Sequence, residues 1–365
     1  MMLLRVLRAT ALAVPFLAMA ELSVSAQTST ASGEAVLPLS IRSSDRAAAS
    51  SYSDLRVRVF PRLNDDGTVR QSSTLTLGDS GSRPFLTEGA EANTQPETLP
   101  DSSVRSVPGV PPPGFYPADV AYHGGALLKS VQSNNVYVSR PSTEWGDPAK
   151  FLADLGKSTF VHTIDQYVHE TSANRYTVGI GATILYPIFG VLGNNDLLQI
   201  VHSAASFFGS GYGHIYHVFL PKGVDFCDEP SGQCYSPDNP STFVFCAFHG
   251  SVQFSDIGHV IFSLEPYQNV LGCSTQQPSP NGALIDSTDN VLSHELFEAI
   301  SDPDPGSGWY AQNSLGTFGQ EIGDLCPGIS LTGPFFKNPV SRLNGHLYEI
   351  QLEYSNTYHA CANVP

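Results

Sequence analysis

Ser293-His-Glu-Leu-Phe-Glu-Ala-Ile-Ser-Asp-Pro303 is the stretch from which the rest of the chain can be read. Val291, Leu292, Leu296, Ala299 and Ile300 recur at helical spacing, which predicts a helix over Asp289 to Ser301. Asp302-Pro-Asp-Pro-Gly306 supplies the stop. Residues four apart share one helix face, so His294 and Glu298 can reach a common cation. Glu295 follows the first ligand directly, where the H-E-x-x-H motif keeps its general base. Here a glutamate replaces the second histidine. Glu321 lies 23 residues beyond Glu298 as a returning third ligand, and Asp324 is placed to hold the far nitrogen of His294. His294, Glu298, Glu321 and Asp324 are therefore the candidate metal residues, and Glu295 the candidate catalytic one.

A divalent ion with an open position acidifies bound water and polarises a carbonyl. Two carboxylate ligands offset part of the charge responsible for both effects, and they make harder metals more competitive. Zn2+ is the expected cofactor. Ca2+ is the alternative, with Asp302, Asp304, Glu321 and Asp324 as oxygen ligands. A third reading makes His294, Glu295 and Glu298 a polar helix face beside a capped turn.

Several strands precede this helix. Asn134 to Ser139, His214 to Leu220, Phe243 to His249 and His259 to Leu264 are rich in Val, Ile, Phe and Tyr. His346 to Leu352 is a last strand, while Asp147 to Leu155 and Asn195 to Phe207 read as helices. The expected class is α+β, a zincin-like mixed sheet with a late motif-bearing helix.

Residues 117–365 form the expected folded domain, with eight Lys+Arg against 23 Asp+Glu and all 11 histidines. Residues 27–116 hold no Cys, His or Trp, and they end in the Pro-rich run Ser106 to Gly114. They read as a low-complexity pro-region or linker. Leu55-Arg-Val-Arg-Val-Phe60 alternates like a strand. Residues 1–26 have the Arg5/Arg8 start, the apolar Ala11 to Ala20 run and the Val24-Ser-Ala26 site of a secretory signal peptide. The expected location is extracellular or periplasmic, without a stable membrane anchor.

The chain carries 18 Lys+Arg and 34 Asp+Glu, a formal charge of −16, which argues against nucleic-acid binding. Six cysteines in an exported chain read as disulfides. Six allow 15 pairings, and the shortest loops join Cys227 to Cys234, Cys246 to Cys273 and Cys326 to Cys361.

Other motifs carry less. Gly78-Asp-Ser-Gly81 resembles a serine-protease nucleophile string, but no histidine precedes it. His162 and His169 read as structural, and His202, His214 and His217 as core or rim groups. In Cys246-Ala-Phe-His-Gly250 a disulfide outweighs a Cys–His nucleophile pair.

Tyr122-His-Gly-Gly-Ala-Leu-Leu128, Asn135-Val-Tyr-Val138, Cys246-Ala-Phe-His-Gly-Ser251 and Pro280-Asn-Gly282 occur in that order, followed by the Ser293 to Pro303 run, Gly308-Trp-Tyr310 and Glu321-Ile-Gly-Asp-Leu-Cys326. Over roughly residues 120–361 this series resembles the phosphate-induced, EXORDIUM-like secreted proteins and their microbial relatives. The resemblance implies an extracellular or cell-wall-associated protein without a firmly assigned enzyme activity. Two functions are thus expected. One is a secreted metal-dependent hydrolase, a peptidase acting on a peptide or cell-wall-type substrate. The other is a non-catalytic extracellular binding or signalling protein.

Overall fold

The structure, a computed structural model, describes residues 27–28, 35–38, 53–62, 119–228, 232–275, 279–311, 321–326 and 338–365. The expected signal peptide, the Gly78 to Gly81 string and most of 27–116 lie outside these residues.

In chain order the elements begin with strands β1 (Gln27–Thr28), β2 (Ala35–Pro38), β3 (Ser53–Pro61), β4 (Ala121–Tyr122) and β5 (Val131–Val138). Helices α1 (Pro148–Leu155) and α2 (Asp165–Val168) follow, then β6 (Tyr176–Val178), β7 (Ala182–Leu185) and helix α3 (Asn194–Phe208). Next come β8 (His214–Phe219), the hairpin β9 (Phe226–Asp228) and β10 (Gln233–Tyr235), β11 (Phe245–Phe254), β12 (Gly258–Glu265) and the motif helix α4 (Ala283–Ser301). Nine strands form one sheet in the order β1-β2-β7-β5-β8-β12-β11-β3, with β6 also paired to β5. Its centre, β7-β5-β8-β12, is parallel, while β12-β11-β3 is antiparallel. The fold is a mixed α+β architecture with a mixed sheet.

Strand alternation divides the core in two. Val136, Val138, Val218 and Phe262 face one side and pack on Leu198, Val201 and Ala204 of α3. Tyr137, Ile215, Phe219 and Ile261 face the other and pack with Leu292, Leu296, Phe297 and Ile300 of α4. Helix α4 is buried without a break from Asp286 to Ser301. It starts six residues before the sequence-based expectation, because its buried first turns carry Asp286, Ser287, Asp289 and Asn290, which disguise the apolar period. Asp302 closes it by accepting the N–H groups of Gly306, Ser307 and Gly308 at 2.6 to 3.0 Å.

The stretch 27–116 is not wholly a linker. The strand expected at Leu55 to Phe60 lies within β3, which pairs with β11 on the sheet edge, and β2 pairs with β7 on the other side. Leu55 and Val57 are buried, which is what their alternation with arginine allows, and Phe60, in phase with Arg58, is buried against His294. Cysteines 227 and 234, 246 and 273, and 326 and 361 are bonded, a set that fits an oxidising, extracellular setting. No helix among the described residues is long and apolar enough to cross a membrane.

Candidate metal centre

One row of side chains across the sheet faces α4. Register places Arg58 of β3 opposite His249 of β11, His249 opposite Ser263 of β12, and Ser263 opposite His217 of β8. Phe248 enters the α3-side core, so its neighbour His249 turns toward α4. His294, Glu295 and Glu298 descend from α4 onto this row, and the turn Glu321 to Cys326 closes it from the side. Gly323 lets that turn come close: a Cβ there would sit 2.4 Å from His294 Nδ1 and 2.9 Å from Glu298 Oε1.

Glu298 is the hub. Its Oε1 accepts the Asp324 N–H at 3.0 Å. Its Oε2 lies 3.2 Å from His294 Nε2 and 3.6 Å from His249 Nδ1, with no hydrogen bond to either. His294 Nε2 is also 3.9 Å from Asp324 Oδ1, and His249 Nδ1 is 3.4 Å from Glu295 Oε2. Two triads result, His294–Glu298–Asp324 and His249–Glu295–Glu298, each with ligand atoms all within 4.8 Å of one another. Ligands on a tetrahedral ion with bonds of about 2.0–2.1 Å stand about 3.3 Å apart. Imidazole and carboxylate atoms near that spacing, without hydrogen bonds between them, fit a divalent cation.

The outer contacts set the rings. His249 Nε2 is 3.1 Å from the Asp302 carbonyl, which can only accept, so Nε2 carries the hydrogen and Nδ1 presents a lone pair. Gln351 Nε2 donates to Gly323 O at 3.0 Å and lies 3.0 Å from His294 Nδ1. As placed, the Gln351 amide donates to Nδ1 and leaves the ring hydrogen on Nε2, so a cation at Nε2 requires the amide turned over, with Oε1 accepting from Nδ1–H and the bond to Gly323 given up. Phe60 of β3 packs edge-on against the His294 ring, centroids 4.3 Å apart.

Electrostatics press the same way. His249, His294, Glu295, Glu298 and Glu321 are all 0% exposed. Burial pushes the Glu298 carboxyl up to about 8 and that of Asp324 up to about 7. Burial, reinforced by Glu298, drives Glu295 and Glu321 well above the usual range. Burial lowers His249 to about 3 and His294 to about 4. Arg58 stays cationic because the carboxylates, Glu321 first, more than offset its own burial. Without a cation, Glu295, Glu298 and Glu321 are held toward the protonated form at neutral pH.

The structure brings His294, Glu298 and Asp324 together. Asp324 faces His294 Nε2, while the far nitrogen belongs to Gln351. Glu321 stands beside the triad, with Oε2 3.3 Å from Arg58 Nε and Oε1 3.6 Å from His249 Nε2. Glu295 shares the centre through His249. The calcium loop does not assemble: Asp302 caps α4, and Asp304 binds His259 and Tyr212 at 2.9 and 2.6 Å. Sequence reasoning missed His249, Arg58 and Gln351. Once Cys246 is assigned to Cys273, the alternation of β11 is the signal that frees His249 for the α4 face.

No protein-family model, curated protein or solved structure matches the chain.

Proposed function

We propose that the protein is a secreted metal-dependent hydrolase acting on peptide bonds, with Zn2+ as its ion. One observation carries this reading: His294, Glu298 and Asp324 offer three buried ligand atoms at one point, with Glu295 beside them. A sheet followed by a buried motif helix also supports a zincin-like description. The ion would supply Lewis acidity. His294, Glu298 and Asp324 would hold it, and Gln351 would fix the His294 tautomer. Glu295 Oε1, which makes no hydrogen bond, takes the proton of the attacking water and returns it to the leaving amine. Arg58 Nε stands 3.3 Å from Glu321 Oε2 nearby.

The test is elemental analysis with a peptidase assay on the purified protein and on Glu295→Gln. The variant should keep the ion of the His294 triad and lose roughly a hundredfold or more of the hydrolysis. A metal-free parent protein, or undiminished hydrolysis in the variant, rules the reading out. The complete burial of the ligands favours a second reading, a structural ion in a non-catalytic extracellular binding or signalling protein. In that case the ion would be present, chelation would destabilise the fold, and no peptide would be cleaved.

A further inference from the structure

We propose that the centre takes two divalent cations, the second held by His249 Nδ1, Glu295 Oε2 and Glu298 Oε2, with Glu298 shared between both. This rests on the metal reading above and extends it.

Three observations carry it. The ligand atoms do not gather into one group; they form two triads whose common member is Glu298. Glu298 Oε1 is occupied by the Asp324 N–H, so both histidines converge on Oε2 alone, from 3.2 and 3.6 Å. The His249 triad is also the better prepared of the two. The Asp302 carbonyl holds the ring hydrogen on Nε2, which leaves Nδ1 as a bare lone pair facing carboxylate oxygens that have none to give when ionised. Neither Glu295 oxygen makes a hydrogen bond, and the side chain is 0% exposed. A divalent cation between these atoms would satisfy the lone pairs of His249 Nδ1 and of both carboxylates at once.

Glu295, Glu298, Glu321 and Asp324 are packed together, and Arg58 lies against Glu321. The donor set is one imidazole and two carboxylates at each position, which suits Zn2+ or Mn2+ rather than a thiophilic ion. Glu295 then binds through Oε2 and keeps Oε1 for the proton.

The experiment loads chelator-stripped, full-length protein with Zn2+ alone and counts ions per chain by elemental analysis after desalting. Isothermal titration gives the affinities. The expected result is two ions in the parent, one in His249→Asn and one in His294→Asn. The parent count requires no variant to fold. One ion in the parent overturns the second site; if that ion survives in His249→Asn and is lost in His294→Asn, the single-ion hydrolase reading stands. Two ions retained in His249→Asn also overturn the proposal, because the second ion is then held elsewhere. No ion in the parent overturns both readings.

Discussion

Removing the metal should turn the pH dependence of stability upside down. In the chelated protein Glu298 keeps its proton up to about pH 8, whereas in the unfolded chain it releases it near 4.5. The folded state therefore binds more protons across that window. Stability from the neutral acid is complete below 4.5 and is lost as the pH rises toward 8. At about 1.4 kcal/mol per pH unit, Glu298 alone accounts for about 5 kcal/mol. Asp324, raised from 3.8 to about 7, acts in the same direction. Domains have about 5–15 kcal/mol in total, so the chelated protein should be close to unfolding at pH 8. With Zn2+ the ligands give up these protons on binding, and the fall should disappear or reverse. His249 and His294, lowered to about 3 and about 4, act the other way but only below about 6.5, so thermal unfolding between pH 6.5 and 8.5, with chelator and with Zn2+, measures both curves. A chelated protein whose Tm stays level or rises across this range, with its disulfides intact, would refute the reasoning.

Other perturbations have defined outcomes. Gln351→Leu removes the partner of His294 Nδ1 and should weaken Zn2+ binding by roughly 10–100-fold, read by competition with a chromogenic chelator. Gly323→Ala puts a methyl 2.4 Å from His294 Nδ1, so metal content should fall while the Cys326–Cys361 bond, read by mass spectrometry, still forms. Deleting residues 1–116 removes β3, and with it Arg58, Phe60 and the pairing of β11. The truncated protein should aggregate through its bared strand edge, which size-exclusion chromatography would show.

The motif helix and the positions of the principal strands were legible because each rests on local pattern, apolar period or β-branched runs, while short loops only suggested, among 15 pairings, the disulfides that form. The start of α4 was not, since a helix buried on all sides has no polar face to mark it. The site was half legible. His294 and Glu298 follow from helical spacing alone. His249 and Arg58 reach the centre only through sheet register, which pairs β3 with β11 across nearly 200 residues of chain. At β3 the alternation was legible, but its low-complexity surroundings gave no sign that the strand joins the edge of the sheet. Gln351 follows the strand His346–Glu349, and nothing local announces that its amide meets His294.

The most direct test of the metal centre is an anomalous-difference map from a crystal of Zn2+-loaded protein, recorded on both sides of the zinc absorption edge. The expected result is anomalous density within bonding distance of Glu298 Oε2, shared with His294 Nε2 and Asp324. A loaded crystal with no anomalous peak at Glu298, its carboxyls hydrogen-bonded to one another, would contradict it.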